Sequence, residues 1–366
     1  MKATRDNELE VGFNIPAEVG MPIEDIATPA LLIDLDAFER NVEVMADFIR
    51  EHGIRHRAHA KTHKSIDIAL HQIEQGGACG ICCQKVSEAE ALVAAGITDV
   101  LVSNQVVSPR QIDRLANMAR RARVIVCVDD VANVDDLSAA AVKNAVQIEC
   151  LVEIDCGGGR CGVAWGREVV ELARKIDAAK GLLFSGLQAY QGSAQHLREY
   201  DVRRAKVAAA VKQVAASLEM LDSEGLECGI VGGAGTGTYY FEGTSKVYNE
   251  LQCGSYIFMD VDYQKILDAE GNCISEFDNS LFVLTSIMSH TKQDIAVCDA
   301  GLKALSVDSG LPKIAGREDL EYTQCSDEHG VIADPDSVLS LNDKLMLIPG
   351  HCDPTCNLFD WYVGVR

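Results

Sequence analysis

The hydrophobic positions of this chain follow two alternating patterns: short apolar runs, and longer segments with an apolar residue every three or four positions. The short runs predict buried strands, and the longer segments predict amphipathic helices. The clearest helical stripe consists of Phe38, Val42, Met45 and Ile49. A second consists of Val207, Val211, Val214, Leu218 and Leu221. Gly53 and Gly225 follow these stripes and predict where the two helices end.

Between residues 55 and 260 the same alternation predicts a parallel sheet. The predicted strands are 55–61, 81–86, 99–104, 123–129, 146–155, 182–190, 228–233 and 255–260. Strands that alternate with helices pair in parallel through crossover connections. Eight of them predict a closed (β/α)8 barrel, the TIM barrel. The competing prediction is an open doubly wound sheet, but the chain lacks a GxGxxG motif after its first strand.

The pattern changes after about residue 262. Strand-like runs at 280–289, 294–299, 344–348 and 358–365 are separated by turn residues, without a helical stripe between them. We therefore predict two domains, a barrel over residues 28–262 and a smaller β-rich domain formed by residues 1–27 with 263–366. A further strand, at 30–35, exceeds the eight of the barrel and is a candidate for pairing with the β-rich domain.

The charge and composition exclude several classes of protein. With 55 acidic and 33 basic residues, the net charge of −22 disfavours binding to nucleic acid or to an anionic membrane surface. No apolar run approaches the roughly 18 residues of a membrane span, and the polar start does not resemble a signal peptide. Fourteen cysteines, many in apolar runs, are typical of small buried side chains in a reducing compartment. We predict a cytoplasmic protein, with a redox or metal role of Cys79 and Cys82 as the alternative.

One basic segment is unusual in so acidic a chain. It contains Arg55, His56, Arg57, His59, Lys61, His63 and Lys64. Such a segment is either a solvated strand end or an anion pocket. Lys61 falls at the end of the first predicted barrel strand, where TIM barrels place their active sites. Neighbouring cations lower the pKa of an ammonium group, so we expect Lys61 to be a nucleophile toward a carbonyl, as pyridoxal phosphate enzymes require.

A glycine-rich loop follows the seventh predicted strand. It has the sequence GGAGTG at 232–237 and includes Gly235, Thr236 and Gly237. Repeated glycine allows backbone amides to approach an anion, and TIM barrels commonly bind phosphate after strands seven and eight. The alternative is an ordinary turn, so the loop supports a phosphate site only in combination with Lys61.

Two potential metal ligands follow the strand-like run at 344–348. If the segment is extended, His351 and Asp353 point the same way and are able to chelate one ion. One imidazole and one carboxylate suit loosely held Mn²⁺, Mg²⁺ or Zn²⁺. The alternative is a turn, because Asp353-Pro354 is a common turn dipeptide.

Further polar residues lie at the ends of the fifth and sixth predicted strands. They are Asp155 with Arg160, the segment from Gln188 to Ser193, which contains Tyr190, and His196. Each is either part of an active site or engaged in loop hydrogen bonds. A lone histidine such as His196 is more often structural than catalytic.

Taken together, these motifs resemble the D-threonine aldolases and, more closely, the D-3-hydroxyaspartate aldolases, which are fold-type III pyridoxal phosphate enzymes. The matching motifs are HAKTHKS (59–65), GICCQKVSEAE (80–90), EIDCGGGRCGV (153–163), LQAYQGS (187–193), GGAGTGTYYFE (232–242), ELQCGSYIFMD (250–260), SDEHGV (326–331) and PGHCDPTCNLFDWYVGVR (349–366). The resemblance covers nearly the whole chain. It implies an alanine racemase-like barrel and a D-serine dehydratase-like second domain, joined by the N-terminal segment.

The resemblance also implies residue roles. Lys61 would carry the cofactor, Arg160 would approach the pyridine nitrogen, and His196 would lie near the substrate hydroxyl. His351 and Asp353 would hold the divalent ion, Mn²⁺ or Mg²⁺. The remaining cofactor contacts would come from Gln84, Tyr190, Gly235, Thr236, Gly237 and Tyr256.

The implied reaction is a retro-aldol cleavage of a D-3-hydroxy amino acid into glycine and an aldehyde, by a homodimer. Arg55, His56 and Arg57 are weak candidates for binding the second carboxylate of 3-hydroxyaspartate, because side chains alternate along a strand. The main alternative is a dehydratase that expels the hydroxyl group of D-serine or D-3-hydroxyaspartate. A racemase lacks an identifiable second base here, and a pyridoxal phosphate carrier would not need the β-rich domain.

Overall fold

The structure, a computed structural model, describes residues 9–366 and divides into two compact units. The first, the β unit, consists of the described residues up to Asn41, Ile257–Lys265 and Ser275–Arg366. The second, the barrel unit, consists of Val42–Tyr256 and Ile266–Ile274. None of the helices that residues 9–366 form has the length and apolar character needed to cross a membrane.

Strands and helices alternate regularly up to residue 251. In chain order they are β1 (Ala30–Asp34), α1 (Leu35–His52), β2 (Arg55–His59), α2 (Ile66–Glu74), β3 (Gly80–Cys83), α3 (Val86–Ala94), β4 (Asp99–Gln105), α4 (Pro109–Met118), β5 (Arg123–Val128), α5 (Val131–Asn144), β6 (Ile148–Glu153), α6 (Arg167–Asp177), β7 (Leu182–Gln188), α7 (Tyr200–Ser223), β8 (Ile230–Gly233), α8 (Tyr239–Thr244) and β9 (Glu250–Leu251). Both predicted helical stripes lie in helices, and the first is entirely buried. Ser65 and Asp130 cap α2 and α5 by accepting hydrogen bonds from first-turn amides.

Strands β2 to β9 form a closed barrel, in which every neighbouring pair is parallel and β9 pairs with β2. This confirms the TIM barrel and excludes the open sheet. A large apolar core fills the space between the strands and their helices. A smaller cluster is formed by inward-facing side chains of the strands, namely Cys82, Leu101, Ile125, Cys127, Leu151 and Ile230.

The cysteines are small core residues, as predicted. All fourteen are free, and nine of them are buried. Burial raises the pKa of Cys79 to about 11 and that of Cys82 to about 12. Both are therefore neutral thiols near pH 7, which argues against the redox alternative for this pair.

The prediction of the eighth barrel strand was wrong. The strand is the two-residue β9 (Glu250–Leu251), whereas Ser255–Ile257 within the predicted strand 255–260 forms a 3-10 turn. The apolar run misled because Tyr256, Ile257 and Phe258 are buried by tertiary packing rather than by sheet pairing. Two residues suffice for the strand, because parallel neighbours on both sides hold it.

The β unit contains an antiparallel sheet to which the early strand belongs. Its other strands and short helix are β10 (Leu281–Lys292), β11 (Ile295–Cys298), β12 (Lys313–Ile314), β13 (Glu321–Cys325), β14 (Gly330–Ala333), β15 (Lys344–Ile348), α9 (Cys352–Cys356) and β16 (Tyr362–Val365). The order β12-β15-β10-β11-β14-β13 is extended by β1, which pairs with β10 and β16. Because β1 pairs here, the units change near residues 42 and 256 instead of the predicted 28 and 262.

Candidate active site

Most of the predicted cofactor residues follow the carboxyl ends of barrel strands. Because all eight strands are parallel, these ends form one rim of the barrel, which in this fold is the catalytic one. Lys61 follows β2, Gln84 follows β3, and Arg160 and Tyr190 follow β6 and β7. The glycine-rich loop follows β8. The barrel therefore gathers on a single rim residues that lie up to 176 positions apart in the sequence, from Lys61 to Gly237.

The first part of this rim is a hydrogen-bonded group beside Lys61. The imidazole Nδ1 of His59 lies 3.4 Å from the backbone amide of Lys61 and accepts its hydrogen bond. The Nε2 atom of the same ring lies 3.1 Å from the Gln84 amide and 3.3 Å from the Ser103 hydroxyl. The predicted residue Gln84 thus contacts the residue that orients the backbone of Lys61. His59 and Ser103 were not predicted as site residues, although His59 stands in the HAKTHK motif.

A second part of the rim contains the predicted pyridine-nitrogen partner. The Arg160 guanidinium lies over the Tyr190 ring, 5.6 Å from its centroid, and 3.7 Å from a carboxylate oxygen of Glu153. Gln105 donates a second hydrogen bond to Glu153, at 2.6 Å. Burial raises the pKa of Glu153, while Gln105 and Arg160 oppose that rise. The contacts bring Arg160 and Tyr190 together, as a shared cofactor site requires.

The glycine-rich loop is buried and contains an unsatisfied hydroxyl. Thr236 is 2% exposed, and its Oγ1 has no hydrogen-bond partner among the described residues. An unpaired buried hydroxyl is costly, and a phosphate oxygen would satisfy it. The amide of Gly237 donates to the Gln195 side chain at 3.1 Å. The loop therefore fits a phosphate, with Thr236 as its clearest donor.

Tyr256 and His196 lie in different surroundings. Tyr256 is buried, and its hydroxyl accepts a hydrogen bond from Gln72 at 3.0 Å. Its ring lies edge-on to His56, with 5.3 Å between the centroids. His196 is exposed and lies in the connection between β7 and α7, two residues beyond the 3-10 turn Gly192–Ala194. Exposure leaves His196 accessible to a substrate.

The basic segment does not form one anion pocket. Arg55 and Arg57 lie in the first half of β2 and pair with Glu250, at the start of β9, and Arg57 also pairs with Asp99, at the start of β4. They belong to the barrel end opposite Lys61. His56 is buried, hydrogen-bonded to the Cys253 carbonyl, and burial lowers its pKa to about 4.

The proposed role of Arg55, His56 and Arg57 as partners of a second carboxylate was therefore wrong. This placement also removes two of the cations on which the expected effect on Lys61 rested. The sequence gave no sign of this, because the acidic partners follow 42 and 193 residues after Arg57.

The predicted metal ligands lie in the β unit, on a turn that buried groups hold in place. Asp260, fully buried, accepts the backbone amide of Cys352 at 2.9 Å. Asp353 lies in the first turn of α9, so the extended geometry assumed in the prediction was wrong. The Nδ1 atom of His351 lies 2.8 Å from a carboxylate oxygen of Asp308. A carboxylate at one imidazole nitrogen is the usual way to orient a metal-binding histidine.

The donor set at this turn fits a loosely held divalent ion. His351 offers its second ring nitrogen, and Asp353 offers a carboxylate two residues later. Within residues 9–366 no cluster of three or more histidine, cysteine, aspartate or glutamate side chains is arranged around a metal position. An ion at His351 and Asp353 would therefore complete its coordination with water or substrate oxygens.

A buried carboxyl group lies behind the glycine-rich loop. Glu242 on α8 is 1% exposed and accepts a hydrogen bond from the Thr238 hydroxyl at 2.9 Å. Burial raises its pKa from 4.5 to about 8. The groups facing it are Tyr248, Cys156 and Cys253, whose own pKa values burial raises further still. Glu242 is therefore protonated at neutral pH.

Substitution Glu242→Gln is expected to change the pH dependence of stability. Between pH 4.5 and 8 the folded state binds more protons at Glu242 than the unfolded state does, so the free energy of unfolding falls as pH rises. The contribution of this group falls by about 4 kcal/mol across that window, and it is absent in Glu242→Gln. Urea denaturation at several pH values measures the difference. The exposed control Glu227→Gln should follow the unmodified protein, and parallel curves for all three proteins would contradict the assignment.

Comparison with known proteins agrees with this geometry. Residues 33–262 match the family model "Alanine racemase, N-terminal domain", and residues 280–365 match "Putative serine dehydratase domain". The chain is 57% identical over 360 residues to the 3-hydroxy-D-aspartate aldolase of Paracoccus denitrificans (strain Pd 1222), which covers 98% of this chain and 93% of that protein. It is 44% identical over 354 residues to the D-threonine aldolase of an Arthrobacter species, covering 96% and 92% of the two chains.

A solved structure gives the same result. The crystal structure of D-threonine aldolase from Filomicrobium marinum superposes with a TM-score of 0.93 at 47% identity, covering 96% of this chain and 95% of that one. A TIM barrel with a lysine after its first strand and a phosphate loop after its seventh, accompanied by this β-rich unit, defines a pyridoxal phosphate enzyme of fold type III. Within that class, the chain belongs to the family of the D-threonine and 3-hydroxy-D-aspartate aldolases, which are carbon–carbon lyases.

Proposed function

We propose that this protein is a pyridoxal phosphate- and divalent metal-dependent aldolase that cleaves the Cα–Cβ bond of D-3-hydroxy amino acids. The proposed substrates are D-3-hydroxyaspartate, which yields glycine and glyoxylate, and D-threonine, which yields glycine and acetaldehyde. The observation that carries the proposal is the position of Lys61 on the same barrel rim as the buried, unpaired hydroxyl of Thr236. An amine and a phosphate donor on one rim match the two ends of pyridoxal phosphate.

Each rim residue has a role in this proposal. Lys61 would hold the cofactor covalently, and Thr236 would donate a hydrogen bond to its phosphate. Arg160, fixed against Tyr190 and Glu153, would place a permanent cation near the ring nitrogen and so disfavour its protonation. When bound, the cofactor supplies an electron sink for the carbanion that bond cleavage leaves at Cα. His196 would remove the proton of the substrate hydroxyl.

The proposed metal site consists of His351 and Asp353, with Asp308 orienting His351. A divalent ion bound there would act as a Lewis acid that lowers the pKa of a hydroxyl group. An imidazole and a hard carboxylate suit Mn²⁺ or Mg²⁺ better than they suit a zinc ion, which favours thiolate. The Asp308 contact at 2.8 Å supports this role for His351.

Two further features complete the proposal. The protein would act in a reducing compartment such as the cytoplasm, which is supported by fourteen free cysteines of which most are buried. It would act as a homodimer, as the family resemblance implies, and without nucleic acid or membrane partners, as the net charge of −22 supports.

Product analysis tests the reaction. The full chain, loaded with pyridoxal phosphate and Mn²⁺, is given D-3-hydroxyaspartate or D-threonine, and glycine, aldehyde and ammonia are measured. We expect glycine and aldehyde in equal amounts without ammonia. Ammonia with a 2-oxo acid and no glycine would mean that Cα–H is cleaved, and the dehydratase would replace the aldolase. The ratio of the two rates identifies the preferred substrate.

The same assay with and without Mn²⁺ tests the metal ligands. Asp353→Ala is expected to reduce metal-dependent cleavage by at least about 100-fold, because one of only two protein ligands is lost. The exposed control Asp360→Ala, seven residues later, should retain activity. If Asp353→Ala keeps full metal-dependent activity, the assignment of this residue as a ligand is wrong, while the aldolase itself stands.

A further inference from the structure

Gln195 connects the two loops that follow β7 and β8. It is 1% exposed and directly precedes His196. Its Oε1 accepts a hydrogen bond from the Gly237 amide at 3.1 Å. Its Nε2 donates to the Thr238 hydroxyl at 2.8 Å and to the Gln191 carbonyl at 3.3 Å. Because a backbone amide only donates and a carbonyl only accepts, these partners fix the orientation of the Gln195 side chain.

The same residue explains two glycines of the loop. A Cβ atom at Gly235 would lie 2.5 Å from Gln195 Oε1. A Cβ atom at Gly237 would lie 2.0 Å from the backbone carbonyl oxygen of Gln195, which has no flexible end to move away. Glycine is therefore required at both positions by the close approach of Gln195.

These contacts determine which loop groups face a ligand. The Gly237 amide is already engaged by Gln195. Thr238 is engaged on both sides, by Gln195 and by the buried Glu242. Between them, Thr236 keeps a buried hydroxyl with no partner among the described residues. Gln195 thus holds the residues flanking Thr236 and leaves the Thr236 hydroxyl for the ligand.

We propose that Gln195 is a positioning residue that holds the loop 235–238 in the conformation in which Thr236 binds the cofactor phosphate. The inference rests on the proposed function, because it takes pyridoxal phosphate as the ligand. Gln195 itself does not touch the phosphate in this proposal. Its effect passes through the loop, so it should be specific to ligands that carry a phosphate.

The test compares two ligands that differ only in the phosphate. The full chain is freed of cofactor, and pyridoxal 5′-phosphate or pyridoxal is titrated into the unmodified protein, Gln195→Met and Gln213→Met. Methionine keeps the volume of glutamine without its hydrogen bonds. We expect Gln195→Met to weaken pyridoxal phosphate binding about tenfold or more and to change pyridoxal binding less than twofold. Gln213 is a half-buried glutamine on α7 and serves as the matched control.

A double variant tests the route of the effect. Thr236→Val alone should also weaken pyridoxal phosphate binding, and adding Gln195→Met should cause little further loss if both act on the same contact. Equal losses for both ligands, or a Gln195→Met protein that binds like the Gln213→Met control, would overturn the inference. If the unmodified protein binds both ligands equally well, the phosphate site itself is wrong, and the proposed function fails with it.

Discussion

Replacing Lys61 with alanine is expected to abolish turnover, with a loss of at least about 10⁴-fold. Lys61 follows directly on β2, and the proposed reaction depends on covalent attachment of the cofactor to its amine. Removing a covalent catalytic group typically costs several orders of magnitude in rate. Steady-state rates measure the loss. Borohydride reduction followed by peptide mapping shows where the cofactor is attached, and the label is expected on the peptide that contains Lys61.

Lys64 provides a matched control for that experiment. It lies three residues further on, is largely exposed, and forms an ion pair of 3.6 Å with Glu88. Its φ of 50° lies in the left-handed region, which asparagine tolerates, so Lys64→Asn should fold and keep its activity. A protein lacking Lys61 that still traps the cofactor by reduction would show that another amine carries it. The assignment of Lys61 would then be wrong.

Replacing Glu250 with leucine is expected to lower the free energy of unfolding by about 3–5 kcal/mol. Glu250 and Arg57 are each 1% exposed, and Arg57 Nε donates to Glu250 Oε1 at 2.8 Å. Removing one partner leaves the other charge buried with incomplete compensation, and that desolvation cost is large. Asp99, 22% exposed, remains as a weaker partner of Arg57. Denaturant unfolding of the full chain measures the effect.

The double variant Arg57→Met with Glu250→Leu tests the mechanism of that loss. Removing both charges leaves no buried ion, so the double variant should be more stable than Glu250→Leu alone. The control is Arg167→Met, which removes a cation from an exposed ion pair with Glu171 and should cost at most about 1 kcal/mol. If the double variant is the least stable protein, the cost comes from lost packing rather than from an unpaired charge.

The ion pairs around Arg57 also show why sequence reasoning misjudged the basic segment. On an isolated strand, Arg55 and Arg57 share a face, and their cationic character suggests an anion site. The closed barrel brings the starts of β4 and β9 next to β2, and Asp99 and Glu250 arrive with them. Which charges neutralise one another is set by pairing between distant strands, and the local pattern carries no record of it.

The positions of the main strands could be read directly from the chain. Buried parallel strands are nearly continuous apolar runs, and amphipathic helices carry a stripe of spacing three to four, so both leave a local signature. The two-residue strand β9 has no such signature, because it is held by two neighbours rather than by its own composition. The helical turn at Cys352 was missed for a related reason, since it is fixed by Asp260 from a distant segment.

By itself, the sequence determined the (β/α)8 barrel, the β-rich domain, the family and the identity of the residues at the catalytic rim, because periodicity and motif spacing are local properties. Only the tertiary structure decided which of these residues have partners. It paired β1 with β10 and β16, placed Arg57 at the barrel end away from Lys61, and set Gln195 against Gly237. Hydrogen bonds and ion pairs form between atoms a few ångströms apart, and the fold alone brings residues 42 to 193 positions apart to that distance.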